Sequence, residues 1–239
     1  MQDMYTEVDA RFTRDRTKMR YREVAYESIK HAILSGILVP WERLVEERLG
    51  DALQLSRTPV REALSILEHE GLIESVPYKG LMVKPVTVDE FLSMYEALGV
   101  IEPAIARTAA LNASPADIRV MEASLDQAAK AMPNDIPGHL AACREFQARM
   151  GACAHSPFLT RMLVSIEERS DMHLIHSEKA LPPEKMQASI DDRRAMLDAI
   201  RVGDPDAAAM AAETHAASIR FRWRELYPAG HGSRDQLAP

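Results

Sequence analysis

The 239-residue sequence contains no run of 18 or more apolar residues and only two cysteines. The first absence excludes a transmembrane helix, and the charged N-terminal segment lacks the apolar stretch of a signal peptide. Cys143 and Cys153 lie ten residues apart in one predicted helix, where they cannot easily reach each other, so reduced thiols are the simplest interpretation. We therefore expect a cytoplasmic protein without a membrane partner.

Catalytic motifs are absent as well. The sequence has no nucleophile motif, no glycine-rich phosphate loop and no paired carboxylates in a catalytic context. We therefore expect no enzymatic activity. An enzyme that uses Cys143 and His215 remains the alternative, although a Cys–His pair alone is a weak signal.

The chain has no excess of positive charge: its net charge is −7. Residues 1–85 hold 13 Lys and Arg against 14 Asp and Glu, whereas residues 86–239 hold 16 against 22. The length of the chain favours two domains, and the acidity lies mainly in the second. Any nucleic acid must therefore be bound by a local basic face.

The segment SRTPVREAL, which begins at Ser56, predicts a helix with one exposed face for DNA. Ser56 suits the N-cap, where its hydroxyl can accept a backbone N–H, and Val60 and Leu64 begin a buried stripe. The candidate DNA contacts off that stripe are Ser56, Arg57, Thr58, Arg61 and Ser65. Arginines four residues apart project from one side, and guanidiniums suit phosphate oxygens and the O6/N7 edge of guanine.

This helix is the third of three predicted helices that precede a hairpin. The earlier helices cover about residues 22–36 and 44–53, and β-like runs follow at residues 72–76 and 81–86. The order predicts a winged helix-turn-helix over residues 22–86. The wing tip offers Lys79 and the Gly80 backbone to phosphate or a minor groove; the alternative is that these charges are ordinary solvated ones.

Residues 24–85 resemble the DNA-binding domain of the GntR superfamily of bacterial regulators. The matching residues are Pro40, Glu42, Arg43, Leu44, Leu53, Ser56 to Leu64, Leu67, Glu70, Gly71, Leu72 and Gly80. At Trp41 and Gln54 the family usually has glycine, so we expect altered turn geometry there and an intact reading face. The resemblance implies that Arg57, Thr58 and Arg61 contact a double-stranded DNA operator, with help from Ser56 and the wing.

A basic run precedes this domain. Its residues are Arg11, Arg14, Arg16, Lys18, Arg20 and Arg22, interrupted among acidic residues only by Asp15. Residues 1–21 are predicted to be flexible, and two interpretations stay open: a solubilising tail or an arm that follows DNA phosphates.

Helical patterns fill the chain from Thr87 onward, so residues 87–227 are predicted to form an all-α bundle. The predicted helices cover residues 88–112, 115–132, 138–154, 158–180, 184–202 and 205–227. Ser114 and Asp204 suit N-cap positions, and residues 228–239 are predicted to be disordered. The predicted fold class is mainly α, a winged helix-turn-helix followed by a helical bundle.

The bundle resembles the FCD effector domain of the FadR subfamily, and its six helices resemble the VanR-like group. The matching residues are Leu98, Glu102, Ala106, Arg107, Ala109, Ala110, Phe146, Leu197, Ala199, Ile200, Arg201, Gly203, Asp204 and His215. The resemblance implies that this domain binds an effector and forms a dimer.

Most members of that family hold a divalent metal with Asp-x-x-x-His on the third helix and one histidine on each of the last two. The corresponding positions here are Cys143, Gln147, Arg193 and His215. A guanidinium cannot coordinate a metal and repels a cation. We therefore expect no metal cofactor, with zinc or nickel held by Cys143 and His215 as the alternative.

Arg193 points instead to a small carboxylate as the effector. A guanidinium holds a carboxylate bidentately without any metal. The other effector-binding candidates are Gln147, His215 and Cys143. Alternatively, Arg193 lies at the surface beside Arg194, or it pairs internally with Glu102 or Glu213.

Together these features predict a ligand-responsive DNA-binding transcription regulator, a repressor that an organic-acid metabolite releases from a palindromic operator. One winged unit reads only a half-site, so a homodimer is expected. An architectural DNA-binding protein without a ligand remains a further alternative.

Overall fold

The computed structural model describes residues 21–176 and 182–226, which form nine helices and one β-hairpin. The chain divides into two compact units between Pro85 and Val86. The first unit contains α1 (Tyr21–Leu34), α2 (Glu46–Leu53), α3 (Arg57–His69), β1 (Ile73–Val76) and β2 (Gly80–Val83). The second contains α4 (Val88–Asn112), α5 (Pro115–Ala131), α6 (Ile136–Cys153), α7 (Pro157–Leu174), α8 (Pro183–Val202) and α9 (Pro205–Leu226). The predicted arm up to residue 20 and the predicted tail from residue 228 lie outside the described residues.

The first unit is a three-helix head with an antiparallel wing, which confirms the predicted winged helix-turn-helix. Its core is formed by side chains at helical spacing, Ile29, Ile33, Leu49, Leu53, Leu64 and Leu67. In the wing, Ile73 pairs with Val83, and the register continues to the tip. The backbone N–H of Leu44 donates to the carbonyl of Leu81 at 2.8 Å and ties the segment before α2 to the wing.

Trp41 and Gln54 both adopt left-handed backbone conformations, with φ of 67° and 55°. Glycine adopts this conformation easily, whereas other residues pay about 1–2 kcal/mol for it. The expected change of turn geometry is therefore wrong. The turns keep a glycine-like backbone, and the substituted residues carry the strain.

The second unit is an all-α bundle, as predicted, in which the 25-residue α4 contacts α6, α7, α8 and α9. All of its helices except α8, which follows Pro182, begin at polar caps. Ser114 and Asp117 form a capping box, and Asp204 Oδ1 accepts the backbone N–H groups of Asp206 and Ala207 at 3.1 and 3.0 Å. Both predicted N-caps are confirmed, and each satisfies backbone donors that the helix leaves unpaired.

One helix is shorter than predicted. α7 ends at Leu174 and a turn at Ile175 and His176 follows, whereas the sequence pattern extends to residue 180. No glycine or proline lies between Leu174 and Pro182, so the usual signals of a helix end are missing there. None of the described helices is long and apolar enough to span a bilayer.

Replacing Gln54 with glycine is expected to stabilise the protein. The relief of left-handed strain, about 1–2 kcal/mol, exceeds the entropy cost of glycine, about 0.5–1 kcal/mol. We expect the free energy of unfolding, measured by urea denaturation, to rise by up to about 1.5 kcal/mol. Gln54→Ala is the matched control, because it shortens the side chain and keeps the strain; equal stabilisation by both variants contradicts this explanation.

Candidate functional site

The exposed face of α3 carries the five candidate DNA contacts predicted in this segment. Exposed side chains on α3 and its N-cap are Ser56, Arg57, Thr58, Arg61 and Ser65. The opposite face is buried through Val60, Ala63, Leu64 and Leu67. The helix therefore presents two guanidiniums and three hydroxyls to the outside without disturbing the core of the head.

Ser56 occupies the N-cap position of α3, but its side chain makes no capping hydrogen bond. The predicted cap is therefore wrong in this detail. A capping hydroxyl accepts from the N–H of the second or third helical residue, and the third residue here is Pro59, which has no N–H.

Both arginines of α3 are paired with carboxylates of α2. Glu46 accepts from Arg61 Nε at 2.9 and 3.1 Å and from Nη2 at 2.7 Å. Glu47 accepts from Arg57 Nη2 at 2.5 Å. The hydrogen bond from Arg61 lowers the pKa of Glu46, so this carboxylate remains ionised. The pairs join the two helices of the helix-turn-helix motif through two of the candidate DNA contacts themselves.

The wing tip presents Lys79 and Gly80, as predicted, together with an aromatic residue that sequence reasoning missed. Tyr78 is fully exposed and has a φ of 65°. Its position in the turn between two short strands was the available signal. Gly80 has a φ of 88°, a conformation that residues with a side chain rarely adopt, so glycine suits this position.

The second unit contains a cavity of about 40 Å³. Its polar lining includes Tyr95, His139, Cys143, Glu167, Asp171 and Arg193. Two of the four predicted effector-binding residues, Cys143 and Arg193, therefore meet at one cavity. The described lining does not include the other two, Gln147 and His215.

Arg193 is buried, with 3% of its surface exposed, and it faces this cavity. Its Nη2 lies 3.4 Å from Oε2 of Glu167, and Nη1 donates to the hydroxyl of Ser189. Arg194 is the outward-facing neighbour and pairs with Asp126. The interpretation of Arg193 as a surface residue is therefore wrong.

The internal partner of Arg193 also differs from the residues considered from the sequence. The carboxylate is Glu167 on α7, not Glu102 or Glu213. Among the described residues, Arg193 Nε and Glu167 Oε1 have no hydrogen-bond partner, although both are buried. An unsatisfied buried donor and acceptor in one polar cavity indicate room for a ligand or water that satisfies both.

Burial controls the ionisation of the carboxylates in this cavity. It raises the pKa of Glu167 to about 7, although Arg193 acts in the opposite direction. Burial also raises the pKa of Asp171, which is paired with Arg144. Because the pKa of Glu167 is about 7, the charge of this site depends on pH near neutrality.

Cys143 behaves as a buried neutral thiol. Its Sγ lies 3.8 Å from Nε2 of His139, whose Nδ1 is 3.1 Å from the carbonyl oxygen of Ala128. Burial raises the pKa of Cys143 to about 11, so little thiolate exists at neutral pH. A protonated thiol is a poor nucleophile, and the neighbouring imidazole is His139, not the His215 of the enzyme alternative.

Gln147 and His215 belong to a separate buried cluster around Glu102. Gln147 Nε2 donates to Glu102 Oε1 at 2.5 Å, and His215 Nδ1 lies 3.0 Å from Oε2. All three side chains have no exposed surface. This cluster connects α4, α6 and α9 by hydrogen bonds inside the bundle.

The residues at the family's metal positions do not fit a metal. Arg193 brings a positive charge and no lone pair, Gln147 donates to Glu102, and His215 Nδ1 lies 3.0 Å from the same carboxylate. Within residues 21–176 and 182–226, no three His, Cys, Asp or Glu side chains are grouped in a way that could hold a metal ion.

Comparisons with known proteins agree with both units. The model of the gntR family of bacterial regulatory proteins matches residues 21–83, and that of the FCD domain matches residues 93–218. The galactonate operon transcriptional repressor of Escherichia coli is 28% identical over 215 residues, which cover 81% of this chain and 93% of the repressor. An uncharacterised helix-turn-helix transcriptional regulator of Agrobacterium vitis is 33% identical over 135 residues, 54% of this chain and 78% of that protein.

A solved structure shows the same fold. The Escherichia coli protein McbR/YncC superposes with a TM-score of 0.76 at 20% identity, over 87% of this chain and 99% of that one. The chain therefore belongs to the gntR family of bacterial regulatory proteins, carries an FCD domain, and is a transcriptional regulator rather than an enzyme.

Proposed function

We propose that the protein is a homodimeric repressor that binds a palindromic DNA operator and is released from it by a small organic acid. The head, residues 22–86, reads DNA, and the domain of residues 87–227 binds the acid and forms the dimer. A relative named as the repressor of a galactonate operon supports this class of regulation. The buried, incompletely paired Arg193 is the observation that carries the proposed effector class.

The DNA contacts follow from the chemistry of the exposed face. Arg57 and Arg61 supply the planar donors that match the O6/N7 edge of guanine. Ser56, Thr58 and Ser65 supply hydroxyls for phosphate oxygens, and Lys79 with the Gly80 backbone adds phosphate contacts at the wing. One head covers a half-site, so two heads match a palindrome.

The effector contacts follow from the unsatisfied atoms of the cavity. A ligand carboxylate accepts from Arg193 Nε, which has no partner among the described residues, and from the neighbouring guanidinium nitrogens. A hydroxyl next to that carboxylate can donate to the equally unsatisfied Oε1 of Glu167. These two requirements favour hydroxy acids, including sugar acids, over simple fatty acids.

The cavity volume links effector binding to a change of conformation. About 40 Å³ holds only a few water molecules, so an organic acid needs the lining helices to separate. The bundle then has two states that differ in affinity for the acid, which is the requirement for allosteric control of the heads.

Removing Arg57 is expected to relax sequence reading, whereas removing Lys79 is not. Arg57→Ala loses a base contact worth about 1–3 kcal/mol in each half-site, so affinity for a selected operator falls about 5- to 150-fold per half-site and one position in each half-site loses its preference. Lys79→Ala weakens binding to all sequences alike and lowers the salt slope by about 1 per head. Fluorescence anisotropy with the selected operator and with random duplexes measures the affinity and the salt slope of each variant. Identical behaviour of the two variants contradicts the assignment of Arg57 to a base and Lys79 to a phosphate.

Arg193→Ala is expected to abolish the response to effector without affecting operator recognition. The test is thermal unfolding with a panel of hydroxy acids that includes galactonate, followed by operator release by the acid that stabilises the wild type. Saturation at 100 times the Kd adds about 2.7 kcal/mol of stability. Arg194→Ala, the adjacent exposed arginine, is the matched control and should respond normally.

The Arg193 substitution also breaks a buried pair, which typically costs 3–5 kcal/mol. Arg193→Lys keeps the positive charge but loses the planar pair of N–H donors. It replaces the alanine variant in this test if that variant does not fold. A normal response by either folded variant removes Arg193 as the anchor. No response of the wild type to any acid in the panel rejects the effector class.

The affinity for such an acid is expected to fall as the pH rises through about 7. Below that pH Glu167 is neutral and does not compete for Arg193. Above it, the ionised Glu167 competes with the ligand carboxylate for the guanidinium. The loss approaches about tenfold per pH unit on the alkaline side. Calorimetric titrations between pH 6 and 8 measure it, and Glu167→Gln, which cannot ionise at this position, should depend much less on pH.

A further inference from the structure

The ion pair between Glu46 and Arg61 occupies one defined edge of the guanidinium. The carboxylate contacts Nε and Nη2 at 2.7–3.1 Å. These contacts are bidentate, and bidentate pairing fixes the plane of the guanidinium. Arg61 itself is 69% exposed, while Glu46 is only 28% exposed, so a partly buried carboxylate holds a side chain that extends outward.

This pairing leaves the opposite edge available. The guanidinium carries five N–H donors, and Nη1 has no partner among the described residues. One N–H of Nη1 and the second N–H of Nη2 are parallel and directed away from Glu46. Two parallel donors are the requirement for the O6 and N7 acceptors of guanine.

The neighbouring pair lacks these properties. Arg57 meets Glu47 through one nitrogen and one oxygen, at 2.5 Å. Both partners are more than 60% exposed. A single contact between two solvated side chains does not fix the guanidinium plane, and such exposed pairs contribute little. The chain therefore contains two arginines of the same helix face that differ in how they are oriented.

We propose that Glu46 is a positioning residue for DNA reading: it holds Arg61 with its Nη1–Nη2 edge directed at a guanine and so makes the head selective. The inference rests on the proposed binding of a palindromic operator. Glu46 acts only through Arg61 and does not itself touch DNA.

The same carboxylate opposes unselective binding. Residues 1–85 hold 13 basic against 14 acidic side chains, so the head has no general excess of positive charge. The charge of Glu46 cancels that of Arg61 where a phosphate would otherwise attract it. Sequence-independent affinity depends on such phosphate attraction. Once Arg61 is paired with Glu46, its contribution to DNA affinity is therefore largest where its remaining edge meets guanine.

The test is a selection of binding sites from duplexes with 30 randomised base pairs, using the full-length wild type, Arg61→Ala, Glu46→Gln and Glu47→Gln. Arg61→Ala identifies the base pair that Arg61 reads. Glu46→Gln is expected to lose the guanine preference at that position and to keep the others. Glu47→Gln removes an equal charge from the next residue and should keep that guanine.

Two further measurements separate positioning from a loss of fold or of charge. Replacing the selected guanine with 7-deazaguanine removes one acceptor, so wild-type affinity should fall by about tenfold while Glu46→Gln changes little. Affinity of Glu46→Gln for poly(dA-dT), which has no guanine edge, should rise, with a salt slope steeper by about 1 per head. Thermal unfolding identifies a variant that fails to fold, in which case Glu46→Ala replaces it.

The outcomes distinguish this inference from the function on which it rests. If the wild type enriches no sequence, operator reading fails and the role of Glu46 fails with it. If the wild type enriches a palindrome and Glu46→Gln keeps the guanine, only the positioning role is overturned. Equal relaxation by Glu46→Gln and Glu47→Gln, or a base other than guanine at the Arg61 position, also overturns it.

Discussion

The buried ion pair of Arg193 and Glu167 constrains the whole helical bundle. A charged group in a protein interior is stable only when an opposite charge and hydrogen bonds compensate for lost water. Here the compensation is incomplete, because one nitrogen and one oxygen have no described partner. The bundle therefore keeps a polar cavity where apolar side chains would otherwise close the core, and we propose that this cavity is where an effector acts.

The two units use the arginine–carboxylate pair in different surroundings. In the head, the Arg61–Glu46 pair is near water, so its contribution to folding is small. Its proposed role is to orient the guanidinium of Arg61. In the bundle, the Arg193–Glu167 pair is fully enclosed, each partner 4% exposed, so the same chemistry determines the charge state of the cavity. Burial, rather than residue type, separates the contact that we propose orients a DNA-reading arginine from the one that we propose binds a ligand.

The sequence pattern was sufficient for the architecture and for the exposed reading face. α4 covers the predicted residues 88–112, because caps and apolar spacing are local signals. The missed features depend on distant partners or on backbone detail. Glu167 is separated from Arg193 by 26 residues and has no local pattern that marks it as buried. Ser56 makes no capping hydrogen bond, and the third helical residue, Pro59, has no N–H to offer. Trp41 and Gln54 show that a glycine-like turn can survive without glycine.

An arginine in place of a metal changes what the site can select. A metal ion binds carboxylates from several directions, and a metal site works only when the ion is available. A guanidinium is always charged, and it donates hydrogen bonds only to ligands that lie in its own plane. Glu167 adds a second condition, because its pKa of about 7 makes the net charge around Arg193 vary near neutral pH. A ligand that brings both a carboxylate and a hydroxyl donor satisfies the two partners at once. We infer that the site binds a narrower range of anions than a metal centre would, and that its affinity for them depends on pH.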